Sequence, residues 1–320
     1  MKRIAVLTSG GDAPGMNAAV RSVARCAIYN KMEVYGIERG YEGLIDGDIK
    51  ELSVSSVSDI LQRGGTMLRT ARSKRFMTPE GFQRALDMLE NFEIEGLVVV
   101  GGDGSYRGGV ELTKAGVRVM GLPGTIDNDL AYTDFTIGFD TAVNTVLSAI
   151  GNIRDTSSSH GRCTVIEVMG RHCGDIALYA GLCGGAESIL IPEETVDMNA
   201  ICRTLIQGRN RGKLHSIILR AEGIEMSSNE LADTIMERTG METKVVVLGY
   251  IQRGGTPTAR DRILASQMGC EAVNLLISDS SSQAIGISGD EIIHYDLEKA
   301  LEMKRKHNKS LMELAEILSI

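Results

Sequence analysis

The sequence predicts an α/β protein of two domains with largely parallel sheets, and three observations lead there. Short, fully apolar runs such as Leu97-Val98-Val99-Val100 suit strands buried on both faces. Helical stretches alternate with such runs along the chain, which gives a helix-covered sheet. This many units overfills one open sheet, and 320 residues allow about two domains.

The first strand is expected at 4–7, followed by the turn Ser9-Gly10-Gly11-Asp12-Ala13-Pro14-Gly15 and a helix in which Ala19, Val20, Val23, Ala24, Ala27 and Ile28 keep helical spacing. Arg21 and Arg25 share a face of it, as a solvated pair or as part of a small anion site. A strand at 34–37 precedes a short helix starting at Ser58-Asp59-Ile60-Leu61 and broken at Gly64-Gly65-Thr66. Residues 69–75 carry four cations, read either as a solvated segment or as a clamp over polyphosphate. Pro79 starts a helix to about Asn91 from the first-turn position that proline favours. Strands at 97–100 and 117–122 flank a helix ending near Ala115.

The alternation then continues. Helices are expected at 141–155, 174–183, 197–207, 231–238, 258–277, 297–303 and 311–318, and strands at 164–168, 188–191, 217–219, 245–251 and 285–287.

A hydrophobic content of 43% can fill sizeable cores, and 37 glycines against five prolines read as tight turns rather than disorder. The net charge of −8 argues against nucleic acid, although local arginines can still hold small phosphorylated ligands. The six cysteines show no CxxC spacing, so reduced core thiols and a cytoplasmic protein are expected. The apolar run after Met1-Lys2-Arg3 is too short for a signal peptide, and nothing later reaches membrane-spanning length.

The chemistry gathers at two turns, Gly101-Gly102-Asp103-Gly104-Ser105 and Pro123-Gly124-Thr125-Ile126-Asp127-Asn128-Asp129. A strand–glycine turn–helix unit presents free N–H groups and a helix N-terminus to an anion. Asp103 repels phosphate unless a cation lies between them, so the loop implies Mg²⁺ carried with the phosphates; alternatively Asp103 only caps the helix. Asp127 and Asp129 project to one side of an extended segment and could divide metal binding and proton removal. Turns at Gly10, Gly101, Thr125, Gly170 and Glu222 all follow expected strands and could converge on one cleft. Gly212-Lys213-Leu214 fails the P-loop ending, and Arg107 stands where a dinucleotide fingerprint needs glycine.

Five motifs in order, Leu7 to Asn17 (LTSGGDAPGMN), Gly101 to Ser105, Pro123 to Asp129, Met169-Gly170-Arg171 and Gln252-Arg253-Gly254-Gly255, resemble bacterial ATP-dependent 6-phosphofructokinases from residue 1 to about 290. The resemblance implies two Rossmann-like three-layer domains with the active site in the cleft between them: 1–138 plus 252–306 for ATP and 139–251 plus 307–320 for the sugar phosphate. It implies transfer of the ATP γ-phosphoryl group to the 1-hydroxyl of fructose 6-phosphate, with Mg²⁺, at the committed step of glycolysis.

On that resemblance Asp127 is the base, Asp103 and Asp129 serve the metal, Thr125 positions the reacting groups, and Gly11 N–H, Arg72 and Arg171 stabilise the transferring phosphoryl. Gly11, Tyr41, Arg72, Phe76, Gly102, Asp103, Gly104, Ser105 and Gly108 surround the nucleotide, with core packing the alternative for Phe76. Gly104 and Gly124 favour ATP, since pyrophosphate-dependent relatives typically carry Asp and Lys there.

Arg162, Met169, Gly170, Arg171, Glu222 and Arg253, with Thr125, Asp127 and Asp129, match the sugar-phosphate site, while Lys244 and Tyr250 stand where the family usually has Arg and His. Lysine offers a point charge instead of a fork, and tyrosine does not become cationic, so weaker sugar-phosphate binding is expected. The resemblance implies a homotetramer in which Arg162 and Lys244, by position, reach a neighbour's sugar-phosphate site. Its effector site, for ADP or phosphoenolpyruvate, matches Arg21, Arg25, Asp59, Arg154, Glu187, Arg211 and Lys213, with Val54 replacing an arginine of some members.

The rival readings are the same transfer to tagatose 6-phosphate, pyrophosphate as donor, a non-catalytic nucleotide-sensing module, which needs no carboxylate at 127, and a nicotinamide oxidoreductase.

Overall fold

A computed structural model describes residues 1–305 and 307–319; the expected domain boundary at 306 and the terminal residue 320 lie outside them. In chain order the elements are β1 (Arg3–Thr8), α1 (Met16–Tyr29), β2 (Glu33–Ile37), α2 (Gly40–Asp46), β3 (Ile49–Glu51), α3 (Pro79–Asn91), β4 (Gly96–Gly101), α4 (Asp103–Lys114), β5 (Arg118–Pro123) and α5 (Phe139–His160). There follow β6 (Cys163–Val168), α6 (Asp175–Gly184), β7 (Ser188–Leu190), α7 (Met198–Asn210), β8 (Ser216–Ala221), α8 (Ser228–Thr239) and β9 (Thr243–Val247). The last are α9 (Ala259–Ile277), β10 (Gln283–Ser288), β11 (Glu291–Asp296), α10 (Leu297–Glu302) and α11 (Lys309–Leu318).

The chain forms two compact units. The first holds Met1–Ile126, Leu130–Thr141 and Arg253–Arg305; the second holds Asp127–Asp129, Ala142–Gln252 and the described residues after Arg305. The acidic triplet thus groups with the second unit although its flanks group with the first.

The first unit is built on a seven-stranded sheet of order β11-β10-β5-β4-β1-β2-β3, parallel except at the edge pairs β10/β11 and β2/β3. Ile4 to Leu7 and Leu97 to Val100 are wholly buried because helices cover both faces. Odd-numbered residues such as Leu7, Ile37, Leu97 and Val99 share one cluster with Tyr41, Tyr106 and Leu112. On α1 and α9 the small residues allow close approach: a Cβ on Gly269 would stand 2.7 Å from that of Ser22, whose hydroxyl donates to Ser266 O at 2.6 Å. Buried Asp261 ties α9 to the start of α5, accepting from Gly138 N–H at 2.9 Å, Thr141 N–H at 2.8 Å and the Thr141 hydroxyl at 2.5 Å.

The second unit has an all-parallel sheet of order β7-β8-β6-β9, with Val165, Ile218, Leu205, Leu231 and Ile235 in its core. Ser227 and Glu230 form a reciprocal capping box at the start of α8.

The expected short helix at Ser58 is absent. Residues 54–59 form turns, and Asp59 sits in the left-handed region at φ 54°, which ends any helical path. The strand expected over 245–251 stops at Val247, and a single 3₁₀ turn, Gly249–Arg253, follows. Helix α2 and strands β3 and β11 were not anticipated. Among the described residues no helix is long and apolar enough to cross a membrane.

Candidate active site

In the first unit β1 is flanked by β2 and β4, so the strand order reverses there and the turns after β1 and β4 lie side by side. Ser9 N–H donates to Val100 O at 3.0 Å, fixing one turn against the other. Gly10 has φ 87° and Gly15 φ 106°, backbone that a side chain would strain. The cation-rich segment is fastened to the same turn: Thr70 Oγ1 donates to Gly10 O and Thr8 Oγ1 to Arg69 O, both at 2.7 Å. Arg72 is exposed next to that fastening. Arg253 lies on the Gly11 turn within the first unit, where its Nη1 donates to Asp12 O at 3.3 Å. A Cβ on Gly11 would stand 2.5 Å from that guanidinium nitrogen, so glycine makes room for it.

At the second turn the cap position belongs to Gly102, and Asp103 is the first helical residue of α4. The capping alternative for Asp103 is therefore not what is observed. Its two oxygens are held by the fork of Arg107, Nε at 2.8 Å and Nη2 at 3.2 Å. A Cβ on Gly104 would meet nothing within 4 Å, so the space beside the first turn of α4 is open. Gly124 is the opposite, since a Cβ there would stand 2.9 Å from Val100 Cγ1 and 3.1 Å from Met16 Cε.

Ser105 is buried and its carbonyl accepts the Tyr41 hydroxyl at 2.5 Å. Tyr41 and Phe76 stack at 4.3 Å, both under 10% exposed, which places Phe76 in the core; Gly108 leaves room for the Tyr41 ring. Thr125 is buried, with its carbonyl accepting Thr136 Oγ1 at 2.6 Å.

In the second unit Asp127 is 3% exposed, and Arg171 Nε stands 3.6 Å from its Oδ2. Arg171 has φ 52° and follows Gly170 at φ 133°, a sharp exit from β6 of the kind that collects at functional positions. Glu222, at the end of neighbouring β8, accepts Arg171 N–H through Oε1 at 2.9 Å, and Gln252 Oε1 accepts Met169 N–H at 3.1 Å. Asp129 is half-buried.

Arg162 and Lys244 lie at the starts of adjacent strands and share one carboxylate: Glu242 Oε2 is 2.9 Å from Arg162 Nε, and Oε1 is 3.1 Å from Lys244 Nζ. Those two bonds hold the Glu242 carboxyl below its ordinary pKa. Tyr250 is 83% exposed on the 3₁₀ turn.

The expected effector residues form two sets. In the second unit Glu187, 6% exposed, pairs with Lys213 and accepts Ile217 N–H, while Arg154 donates to Gly184 O. Burial, with Arg154 and Lys213 opposing protonation, holds His215 below its ordinary value, and Glu187 partly offsets them. Arg211 is exposed. In the first unit Arg21 and Arg25 are half-buried on α1 and Asp59 is exposed.

Sequence reasoning missed Arg107, Asn128, Asp175 and Glu242. Arg107 was legible as the i,i+4 partner of Asp103. Asn128 donates through Nδ2 to Asp175 Oδ2 at 2.8 Å, a pair 47 residues apart that no local pattern announces.

Asp103 fits Mg²⁺ as one exposed carboxylate beside open space, since that ion usually takes one or two carboxylates and completes its shell with phosphates and water. Among the described residues no group of three or more His, Cys, Asp or Glu is placed to hold a metal ion.

Residues 3–276 match the phosphofructokinase family model. The chain is 58% identical over 320 residues to the ATP-dependent 6-phosphofructokinase of Alkaliphilus metalliredigens and 57% identical over 319 residues to that of Clostridium tetani, covering 100% of each chain. Phosphofructokinase from Saccharomyces cerevisiae is similar at a TM-score of 0.90 and 36% identity over 100% of this chain and 48% of its own, so this chain spans about half the yeast length. The pyrophosphate-dependent enzyme of Marinobacter aquaeolei shares the fold at a TM-score of 0.84, with 22% identity over 97% of this chain and 86% of its own. The chain belongs to the phosphofructokinase family.

Proposed function

We propose that this protein transfers the γ-phosphoryl group of ATP to the 1-hydroxyl of fructose 6-phosphate, giving fructose 1,6-bisphosphate and ADP in glycolysis. The observation that carries the chemistry is the buried Asp127 carboxylate with Arg171 on its Oδ2 at 3.6 Å. The names of the full-length relatives supply the donor and acceptor.

Asp127 takes the proton of the attacking hydroxyl at a carboxylate oxygen. Arg171 stands beside that carboxylate and carries positive charge toward the transferring group. Phosphoryl transfer needs alignment and charge neutralisation more than covalent catalysis, and Gly11 N–H, Arg72 and Thr125 serve those ends. Mg²⁺ bound with the nucleotide would supply further neutralisation of the phosphates, and Asp103 would hold it. Arg107 must share or release the Asp103 carboxylate for this.

The open space at Gly104 supports a nucleotide donor, and the placement of Arg253 on the Gly11 turn supports a role beside the phosphates. Glu222 braces Arg171 and keeps its second oxygen for a sugar hydroxyl. We infer further that the first unit binds ATP and the second the sugar phosphate. Arg162 and Lys244 act on a neighbouring subunit's sugar phosphate in a homotetramer, and Arg21, Arg25, Asp59, Arg154, Glu187, Arg211 and Lys213 take ADP or phosphoenolpyruvate. The six free cysteines suit a reducing cytoplasm. The test is product formation from fructose 6-phosphate and from tagatose 6-phosphate, each with Mg-ATP and with pyrophosphate. Turnover confined to pyrophosphate, or to tagatose 6-phosphate, overturns the assignment.

A further inference from the structure

We propose that Asp175 is a positioning residue for catalysis, acting through Asn128 to set where the Asp127 carboxylate stands. This rests on the reading of Asp127 as the base.

Asn128 separates the two acids of the turn, is wholly buried, and holds φ 52°, a left-handed conformation that asparagine tolerates better than most side chains. A buried amide must place its hydrogen-bonding atoms, and this one gives Nδ2 to Asp175 Oδ2 at 2.8 Å. Asp175 is 4% exposed and is the first helical residue of α6. The acceptor of this bond stands on a rigid element, the first turn of α6. That element is itself fixed, since both Glu193 oxygens accept Gly174 N–H, at 2.9 and 3.2 Å. The main-chain side of Asn128 is held by the same segment, its carbonyl accepting the Cys173 thiol at 3.8 Å.

Residues 169–175 thus carry two things at once: Arg171, which pairs with Asp127, and the Cys173–Asp175 grip on the next residue of the acidic turn. One loop thereby sets the carboxylate and its cationic partner in register. Without the tether the turn can rotate Asp127 away from its productive position, and a displacement of about 1 Å can lower a rate roughly 100-fold.

The test uses the full chain and four variants, with kcat expressed per folded molecule from circular dichroism and thermal melts. Asn128→Gly keeps the left-handed backbone accessible and removes the side-chain bond to Asp175. Its kcat is expected to fall roughly 10- to 100-fold while KM for ATP stays within about threefold. Asn128→Asp sets two carboxylates against each other and is expected to lose at least as much. The exchange Asn128→Asp with Asp175→Asn restores one amide–carboxylate bond with the roles reversed, and kcat should return to within about fivefold of the parent.

A folded Asn128→Gly enzyme with kcat within about threefold of the parent overturns the proposal. So does an exchange variant no faster than Asn128→Gly, a comparison that holds even where Asn128→Asp does not fold. Asp127→Asn separates the two readings: if it retains kcat, the base assignment fails on its own, whereas its loss together with no rescue by the exchange rejects the tether alone.

Discussion

Glu242 is the place where a single neutralising change should improve the enzyme. It holds Arg162 at 2.9 Å and Lys244 at 3.1 Å, the two cations assigned to the sugar phosphate. To act there, both must leave or share that carboxylate. The three side chains are 32%, 57% and 47% exposed, so water weakens both attractions. Side-chain ordering and screening weaken exposed pairs, so Glu242 withholds a modest part of both cations' attraction from the phosphate. Glu242→Gln should therefore lower KM for fructose 6-phosphate about 2- to 30-fold at low salt, with kcat and KM for ATP unchanged. Steady-state kinetics at two ionic strengths measures this, and the gain should shrink in high salt. An unchanged or higher KM would refute the assignment of Arg162 and Lys244. Lys244→Arg with Tyr250→His should also lower that KM, because the fork of arginine grips phosphate at two points and histidine can carry charge.

The two glycines that bear on the donor should behave differently. Gly104→Asp enters open space at the start of a helix, so its melting temperature should hold while KM for ATP rises tenfold or more, from a carboxylate set against phosphates (order of magnitude). Gly124→Ala meets Val100 and Met16 and should lose about 1–3 kcal/mol in urea unfolding. For pH dependence, His215 is a base whose folded pKa lies below its unfolded value. The unfolded chain takes the proton first as pH falls, so this contribution to stability is full above about 6.5 and is lost as pH drops through the folded value. Unfolding at pH 7.5 and 5 should show the parent losing stability relative to His215→Gln at the lower pH; a gain would reverse the reading.

The alternation of elements was legible because parallel strands covered on both faces must be continuously apolar, as at Leu97 to Val100. The phosphate-type turns were legible because glycine is demanded at Gly10 and Gly15 by positive φ and at Gly101 by the Ser105 side chain and Ser9 O. Failures came where tertiary contacts decide. Helix α2, with four of its residues Gly40-Tyr41-Glu42-Gly43, has weak propensity and owes its place to burial of Tyr41, Leu44 and Ile45. Phe76 stacks on Tyr41 at a spacing no periodicity encodes. The Arg253 contact with the Gly11 turn and the Asn128–Asp175 bond join residues far apart in sequence, so neither follows from local pattern.

The central claim is that Asp127 removes the proton in phosphoryl transfer from Mg-ATP to fructose 6-phosphate. Asp127→Asn keeps the size of the side chain and removes the base. Measured with saturating Mg-ATP and fructose 6-phosphate, its kcat should fall about 100- to 10,000-fold, with KM for ATP little changed. A folded Asp127→Asn enzyme that keeps kcat within about tenfold of the parent would contradict the account.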